Sequence, residues 1–293
     1  MKKVGKLRFK TQKSEKAQMR RRFFISFFSF ILVFGAFSML ILLKAYDFDL
    51  SRLLSEPVEE TNESTTGPET PRLTGKANFL LYCVAEDSPE IRFLCVVNAD
   101  LDNRVFSVCS LSPKTRATAR GAAGTLAFHL EEGGPVRLAE AVEALGGIKI
   151  DKYIGSDDAG FRTAINKLDG LVIDLKEKID YRGGEFSLML TPGRQTLKGE
   201  SLLKYMRFNG ESGDAGLDRQ SETVGLMLDQ FINEYNAAKG DKLFSALHNE
   251  MKDTNISIMD FKGCSYIIET AAKPANRFQT TVSRYLDGFK QSP

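Results

Sequence analysis

The longest apolar stretch of the chain is an uncharged run from Phe23 to Leu43, built of Phe, Ile, Leu, Val and Met with a few Ser, one Gly and one Ala. As a helix, its 21 residues rise about 31 Å, the thickness of a bilayer's hydrocarbon core. A cleavable leader would carry an apolar region of about 7–15 residues and then a small-x-small site. This run is longer and ends in Leu42-Leu43-Lys44-Ala45-Tyr46, so the pattern predicts an uncleaved membrane helix over 23–43. No polar residue marks off a solvent face, which argues against a buried core helix. Residues 44–74 follow as a stalk, because Glu56 to Arg72 is rich in Glu, Thr, Ser and Pro and too poor in large apolar side chains to order itself.

From about residue 75 the pattern becomes that of a folded domain. Three strand-like runs, Phe79–Val84, Ile91–Asn98 and Arg104–Leu111, are separated by turn-forming residues and suit an antiparallel meander. Helical spacing then appears at Pro135–Leu145, stopped by Gly146-Gly147. A short strand is expected over Asp151–Ser156, a helix over Ala159–Leu168, a buried strand over Gly170–Leu175 and another strand over Phe186–Leu190. Gly199–Arg207 reads as a helix and Asp218–Tyr235 as a longer amphipathic one, with Asp218 as its N-cap. Helices are expected again over Lys242–Met251, Ile258–Ala272 and Ser283–Phe289. Strands interleaved with covering helices predict an α/β domain with a mixed sheet.

Charge adds topology to this picture. The whole chain has a formal net charge of +2, yet Met1 to Arg22 carries ten Lys or Arg against the single Glu15. A Lys/Arg excess on the N-terminal flank of a membrane helix holds that flank in the cytoplasm. Residues 1–22 are thus a basic cytoplasmic tail, and the domain over 75–293 lies outside the cell membrane. The remainder of the chain is net acidic, so no nucleic-acid partner is expected. Cys83, Cys95 and Cys109 sit inside apolar runs, where a free thiol behaves as a small hydrophobe. With His129 and His248 as the chain's histidines, a zinc site or serine–histidine triad has little material.

Several motifs in the domain carry a resemblance. They include Asn78-Phe-Leu-Leu, Gly133-Gly134-Pro135, Asp151-Lys-Tyr153, Gly160-Phe161, Leu168-Asp-Gly170-Leu-Val172-Ile-Asp174 and Gly193-Arg-Gln195-Thr-Leu197-Lys-Gly199-Glu200. The last continues through Leu203-Lys-Tyr205-Met-Arg207-Phe208 to Gly213-Asp214 and Arg219-Gln220. In order and spacing the chain resembles the extracellular domain of the LytR-CpsA-Psr family, over about Gly75 to Val282. The resemblance implies a three-layer αβα domain with a central mixed sheet and a deep apolar pocket. It also implies a phosphotransferase that moves an anionic glycopolymer from a polyprenyl pyrophosphate carrier to peptidoglycan. The alternative is a catalytically degenerate member that binds polyprenyl-linked substrate, or a paralogue, without turnover.

Such a transfer needs cations around the phosphates and a carboxylate near the attacking hydroxyl. By resemblance, Arg207 is the catalytic and phosphate-binding arginine; an ordinary last-turn helix cation is the plainer reading. Arg219 and Gln220 are further phosphate contacts or a solvated first helical turn. The catalytic carboxylate is Asp218 or Asp214, since the family's Asp-x-Gly-Arg-x-x-Arg-Gln is shortened here. Lys114 and Arg116 partly replace a missing arginine, or belong with Arg120 to a solvated basic loop.

The departures from the family pattern are several. Cys83-Val84-Ala85 stands for Gly-Val-Asp, Pro89-Glu90-Ile91 for Arg-Ser-Asp, and Ser112-Pro113-Lys114-Thr115 ends the third strand without its Arg-Asp pair. Asn209 replaces a second arginine. The Mg²⁺ that the resemblance implies therefore lacks its expected ligands.

Overall fold

The computed structural model describes residues 73–208 and 213–289. The expected tail, membrane helix and nearly all of the stalk lie outside the described residues. Among the described residues no helix is long and apolar enough to cross a membrane.

In chain order the domain opens with β1 (Lys76–Val84), β2 (Ile91–Asp100), β3 (Val105–Ser110) and a small hairpin of β4 (Arg116–Ala119) and β5 (Ala122–Thr125). Helix α1 (Leu126–Gly146), β6 (Lys152–Asp157) and α2 (Asp158–Lys167) follow. Next come β7 (Leu171–Leu175), β8 (Ile179–Arg182), β9 (Ser187–Leu190), β10 (Gly193–Leu197) and helices α3 (Gly199–Arg207) and α4 (Gly213–Phe231). The C-terminal part holds α5 (Glu234–Ala238), α6 (Gly240–His248), β11 (Asp253–Thr254), α7 (Ile258–Ala271), β12 (Gln279–Val282) and a 3₁₀ turn at Asp287–Phe289.

Six strands form one sheet in the order β11-β6-β1-β2-β3-β12. The meander β1–β2–β3 is antiparallel, as its three closely spaced apolar runs predict. β6 pairs parallel with β1 and β12 parallel with β3, so the sheet is mixed. Both faces of β1 and β2 are buried. Leu80, Tyr82, Val84, Leu94 and Val96 face a core closed by Leu126, Leu138, Ala141 and Val142 of α1. The alternate positions Cys83, Phe93, Cys95 and Val97 face a second core with Phe161 of α2, Leu202, Leu203 and Met206 of α3, and Val224 of α4. Burial on both sides explains why these strands read as unbroken apolar runs. It also gives the expected layering, helices on each face of a mixed sheet.

The buried asparagines of the sheet are satisfied. Asn78 is fully buried, donates from Nδ2 to the carbonyls of Lys149 (2.8 Å) and Phe289 (3.2 Å), and accepts from Asn98 Nδ2 (2.8 Å). One side chain thus fixes the loop before β6 and the C-terminal turn against the strand. Gly199 opens α3 where a Cβ would lie 2.3 Å from the carbonyl oxygen of Arg162. A side chain there would force α2 and α3 apart, which accounts physically for glycine in that motif.

Five expectations are corrected. Ser283–Phe289 is not an α-helix: the strand pairing of β12 with β3 carries on into Ser283, whose N–H donates to the Val108 carbonyl at 2.8 Å, and only Asp287–Phe289 closes a 3₁₀ turn. Leu286, just before that turn, and Phe289 at its end both fill the α1-side core. The basic stretch after Lys114 is a hairpin, not a loop, turned at Arg120 and Gly121, both with positive φ. Gly170–Leu175 is not wholly buried, since Asp174 is exposed and the strand pairs with β10 in a separate two-stranded sheet. The long helix begins at Gly213 and ends at Phe231, so Asp218 is an interior helical residue and not its N-cap. Helix α1 also extends N-terminally past its expected start, through a kink at Gly134 (φ 65°, ψ −164°) that seats Pro135.

Candidate functional site

A cavity of about 950 Å³ opens where the start of β2, the segment after β3, the β8–β9 hairpin, the end of α3 and the first turns of α4 converge. Its walls mix apolar groups, among them Ile91, Pro113, Tyr181, Phe186 and Leu217, with the charged Glu90, Arg92, Lys114, Glu185, Arg207 and Asp214. This volume lies within the range of small-molecule sites, which usually combine an apolar lining with a few convergent polar groups.

Arg207 reaches the cavity from the last turn of α3. Its side chain is only 16% exposed, and its guanidinium pairs with the Glu185 carboxylate and lies over the Phe186 ring at 4.8 Å. Arg92 enters from β2 and is 13% exposed. Its Nε lies 3.4 Å from Asp158, and its Nη1 lies 3.0 Å from Glu90 and 3.5 Å from Glu185. One carboxylate, Glu185, therefore contacts both guanidinium groups. Arg92 is in none of the motifs that carry the family resemblance. The available signal was a lone charge at the head of the otherwise apolar Ile91–Val97 run, and only the sheet order brings it opposite Arg207.

The expected site residues divide into two groups. Lys114, Arg207, Asp214 and Gln220 line the cavity. Asp218, Arg219 and Arg116 do not. Asp218 accepts two hydrogen bonds from Arg284, at 3.1 and 2.6 Å. Arg116 is an exposed residue of β4. Arg219 donates to the Phe208 carbonyl, and its guanidinium stacks over the rings of Phe208 (4.6 Å) and Tyr205 (5.5 Å). Gln220, nearly buried, donates to the Met206 carbonyl at 3.2 Å. Arg219 and Gln220 thus satisfy carbonyls at the C-terminal end of α3 and hold Arg207 in place. Arg120, further along the basic stretch, forms a bidentate pair with Glu140 at 2.6 and 2.7 Å.

The carboxylates offer no evident metal shell. Glu86 is paired with Arg162 at 3.0 Å, Asp158 with Arg92, and Glu185 with Arg92 and Arg207. Among the described residues no group of three or more His, Cys, Asp or Glu side chains is placed to hold a metal ion.

Residues 96–287, which contain most of this cavity, match the LytR_cpsA_psr family model. The chain belongs to the LytR-CpsA-Psr family. It is 29% identical over 177 residues to the polyisoprenyl-teichoic acid–peptidoglycan teichoic acid transferase TagV of Bacillus subtilis, covering 57% of this chain and 45% of that protein. The match therefore spans a little under half the length of that relative. The crystal structure of B. subtilis TagV superposes with a TM-score of 0.60 at 23% identity, over 71% of this chain and 84% of that one. TagT bound to LI-WTA superposes with a TM-score of 0.55 at 15% identity, over 75% and 81%. At these identities the structural likeness is one of fold, and it establishes the α/β domain with its mixed sheet.

Proposed function

We propose that this LytR-CpsA-Psr protein acts on a polyprenyl pyrophosphate-linked anionic glycopolymer and transfers it to peptidoglycan, with the 950 Å³ cavity receiving the pyrophosphate. The observation that carries this reading is that Arg207 and Lys114, on segments far apart in the chain, both line one cavity. Arginine suits phosphate because its planar fork gives two parallel charge-assisted hydrogen bonds. In the reaction, a peptidoglycan hydroxyl attacks the phosphorus that bears the glycopolymer. The bond from that phosphorus to the bridging oxygen breaks, polyprenyl phosphate leaves, and the hydroxyl proton passes to a carboxylate. Asp214 lines the cavity, whereas Asp218 is held by Arg284, so Asp214 is the better candidate for the base. Arg207 and Lys114 offset the charge that develops on the leaving phosphate. The 23–43 segment anchors the protein in the cell membrane with its N-terminus cytoplasmic and its domain outside.

A second reading is favoured by a specific observation. Each arginine of the cavity is already opposed by carboxylate, and two of its carboxylates, Glu90 and Glu185, are committed to ion pairs. That arrangement suits a member that binds polyprenyl-linked substrate without turnover. Release of polyprenyl phosphate by the wild type, with and without Mg²⁺, separates the two readings. Turnover that is robust and Mg²⁺-dependent overturns the binding-only reading, and weak turnover with retained binding supports it. Arg207→Ala should weaken pyrophosphate affinity by about 1.5–3 kcal/mol, the worth of a hydrogen bond between charged groups. An active C-terminal alkaline phosphatase fusion would support the topology, and an inactive one would overturn the envelope role.

A further inference from the structure

We propose that Arg92 and Arg207 form a two-guanidinium phosphate clamp and that Glu185 is a displaceable gate closing it. This rests on the pyrophosphate-binding reading above and deepens it. One oxygen of the Glu185 carboxylate, Oε2, pairs with Nη2 of Arg207 and lies 3.5 Å from Nη1 of Arg92. An anionic oxygen held between two arginines is the arrangement a phosphate oxygen would take. Arg92 is the independent observation. Its Nη1 is buried and ion-paired with Glu90 and Glu185, yet neither carboxylate takes a hydrogen bond from it. A buried cationic N–H without an acceptor is uncommon, and this one belongs to a residue that lines the cavity.

The partners differ in how firmly they are held. Arg92 lies on a central strand with its Nε beside Asp158. Arg207 ends a helix whose terminal carbonyls are taken by Arg219 and Gln220. Glu185 is 66% exposed and sits at the tip of the β8–β9 hairpin, directly after Gly183 and Gly184, whose backbone freedom is the widest of any residue. The hairpin's stem is anchored in the core through Leu188 and Leu190, so the tip can swing while the stem stays fixed. When phosphate displaces Glu185, the cavity loses one negative charge and gains the substrate's, and Arg92 gains the acceptor it lacks. Arg92 thereby supplies a second phosphate-facing guanidinium beside Arg207, from a strand position that the family pattern did not indicate.

The test uses the full-length protein in detergent and isothermal titration with two probes, inorganic pyrophosphate and farnesyl pyrophosphate. Removing the competing charge with Glu185→Gln should tighten both by about tenfold or more, the effect of one competing charged hydrogen bond. Adding Arg92→Ala to that variant should abolish the gain, and Arg92→Lys, which keeps the charge without the fork, should restore only part of it. Circular dichroism and thermal unfolding check that each variant is folded, and Glu185→Ala serves as a second release of the gate. Tightening of both probes supports the gate, with tighter binding of the farnesyl form marking a lipid-linked ligand and equal binding marking the free anion. If wild type binds but both Glu185 variants stay within about twofold of it, the gate is overturned and the pyrophosphate reading stands. If neither wild type nor the Glu185 variants bind either probe, both are overturned.

Discussion

Ser110 and Ser221 form a buried reciprocal pair: the Ser110 backbone N–H donates to Ser221 Oγ at 2.9 Å, and Ser221 Oγ donates to Ser110 Oγ at 2.9 Å. The pair joins the last residue of β3 to the middle of α4. The cavity's floor depends on that join, since β3 leads into Pro113 and Lys114 and α4 carries Asp214, Leu217 and Gln220. Replacing Ser221 by Ala leaves a backbone N–H and a hydroxyl without their partner in the interior. The expected loss is about 1–3 kcal/mol, the usual cost of an unsatisfied buried group. Urea denaturation measures it, and a change under about 0.5 kcal/mol, the level of a surface substitution, would refute the structural role.

Gly199→Ala tests the approach of α2 and α3. The added Cβ would lie 2.3 Å from the Arg162 carbonyl oxygen and 2.6 Å from its Cα, atoms that cannot rotate away. A destabilisation of about 1–3 kcal/mol is expected from such overpacking, visible as a lower Tm. Gly184→Ala is the control, because nothing lies within 4 Å of its built Cβ, and it should leave the Tm close to that of wild type.

The cysteines should react very unequally. Cys83, Cys95 and Cys109 are buried free thiols and Cys264 is exposed. Burial pushes the Cys83 thiol up to about 12 and Cys109 up to about 11, so neither is appreciably thiolate at neutral pH. Iodoacetamide at pH 8 should label native protein at Cys264 alone, and Cys264→Ser should remain unlabelled until denatured. Peptide mass spectrometry reads the outcome, and rapid labelling of Cys95 in folded protein would contradict the packed sheet.

Asp260 gives the domain a component of acid sensitivity. Hydrogen bonds from the Ser257 backbone N–H and hydroxyl, with Lys152 at 3.0 Å, hold its carboxyl down at about 2. A depressed carboxylate stabilises the fold fully above its unfolded pKa of about 3.9, and that stabilisation is lost as pH falls through about 2. The group is largely solvated, so the effect is small. Thermal unfolding of wild type and Asp260→Asn should differ above about pH 4 and converge toward pH 2. A constant difference across that window would mean the charge of Asp260 plays no part.

Much of this domain could be read from residues that act locally. The extents of β1, β2, α2 and α3 follow from apolar runs and helical spacing that persist because each segment's buried positions repeat with its own period. Family membership was legible too, since it rests on the order and spacing of motifs such as Gly193–Phe208. Long-range partners decided the rest. Thr280–Val282 became a strand because the edge of β3 was open to it, and Ser283–Phe289, expected as a helix, closes only a 3₁₀ turn that brings Phe289 into the core. Asp218 and Arg219 read as site residues from the motif, yet each is taken by a partner, Arg284 and the Phe208 carbonyl. Arg92 and Glu185 reach Arg207 only through the sheet order and a hairpin. Periodicity records which face of an element is buried, whereas the choice of partner for a long charged side chain depends on what folding brings within a few ångströms of it, and no local pattern carries that information.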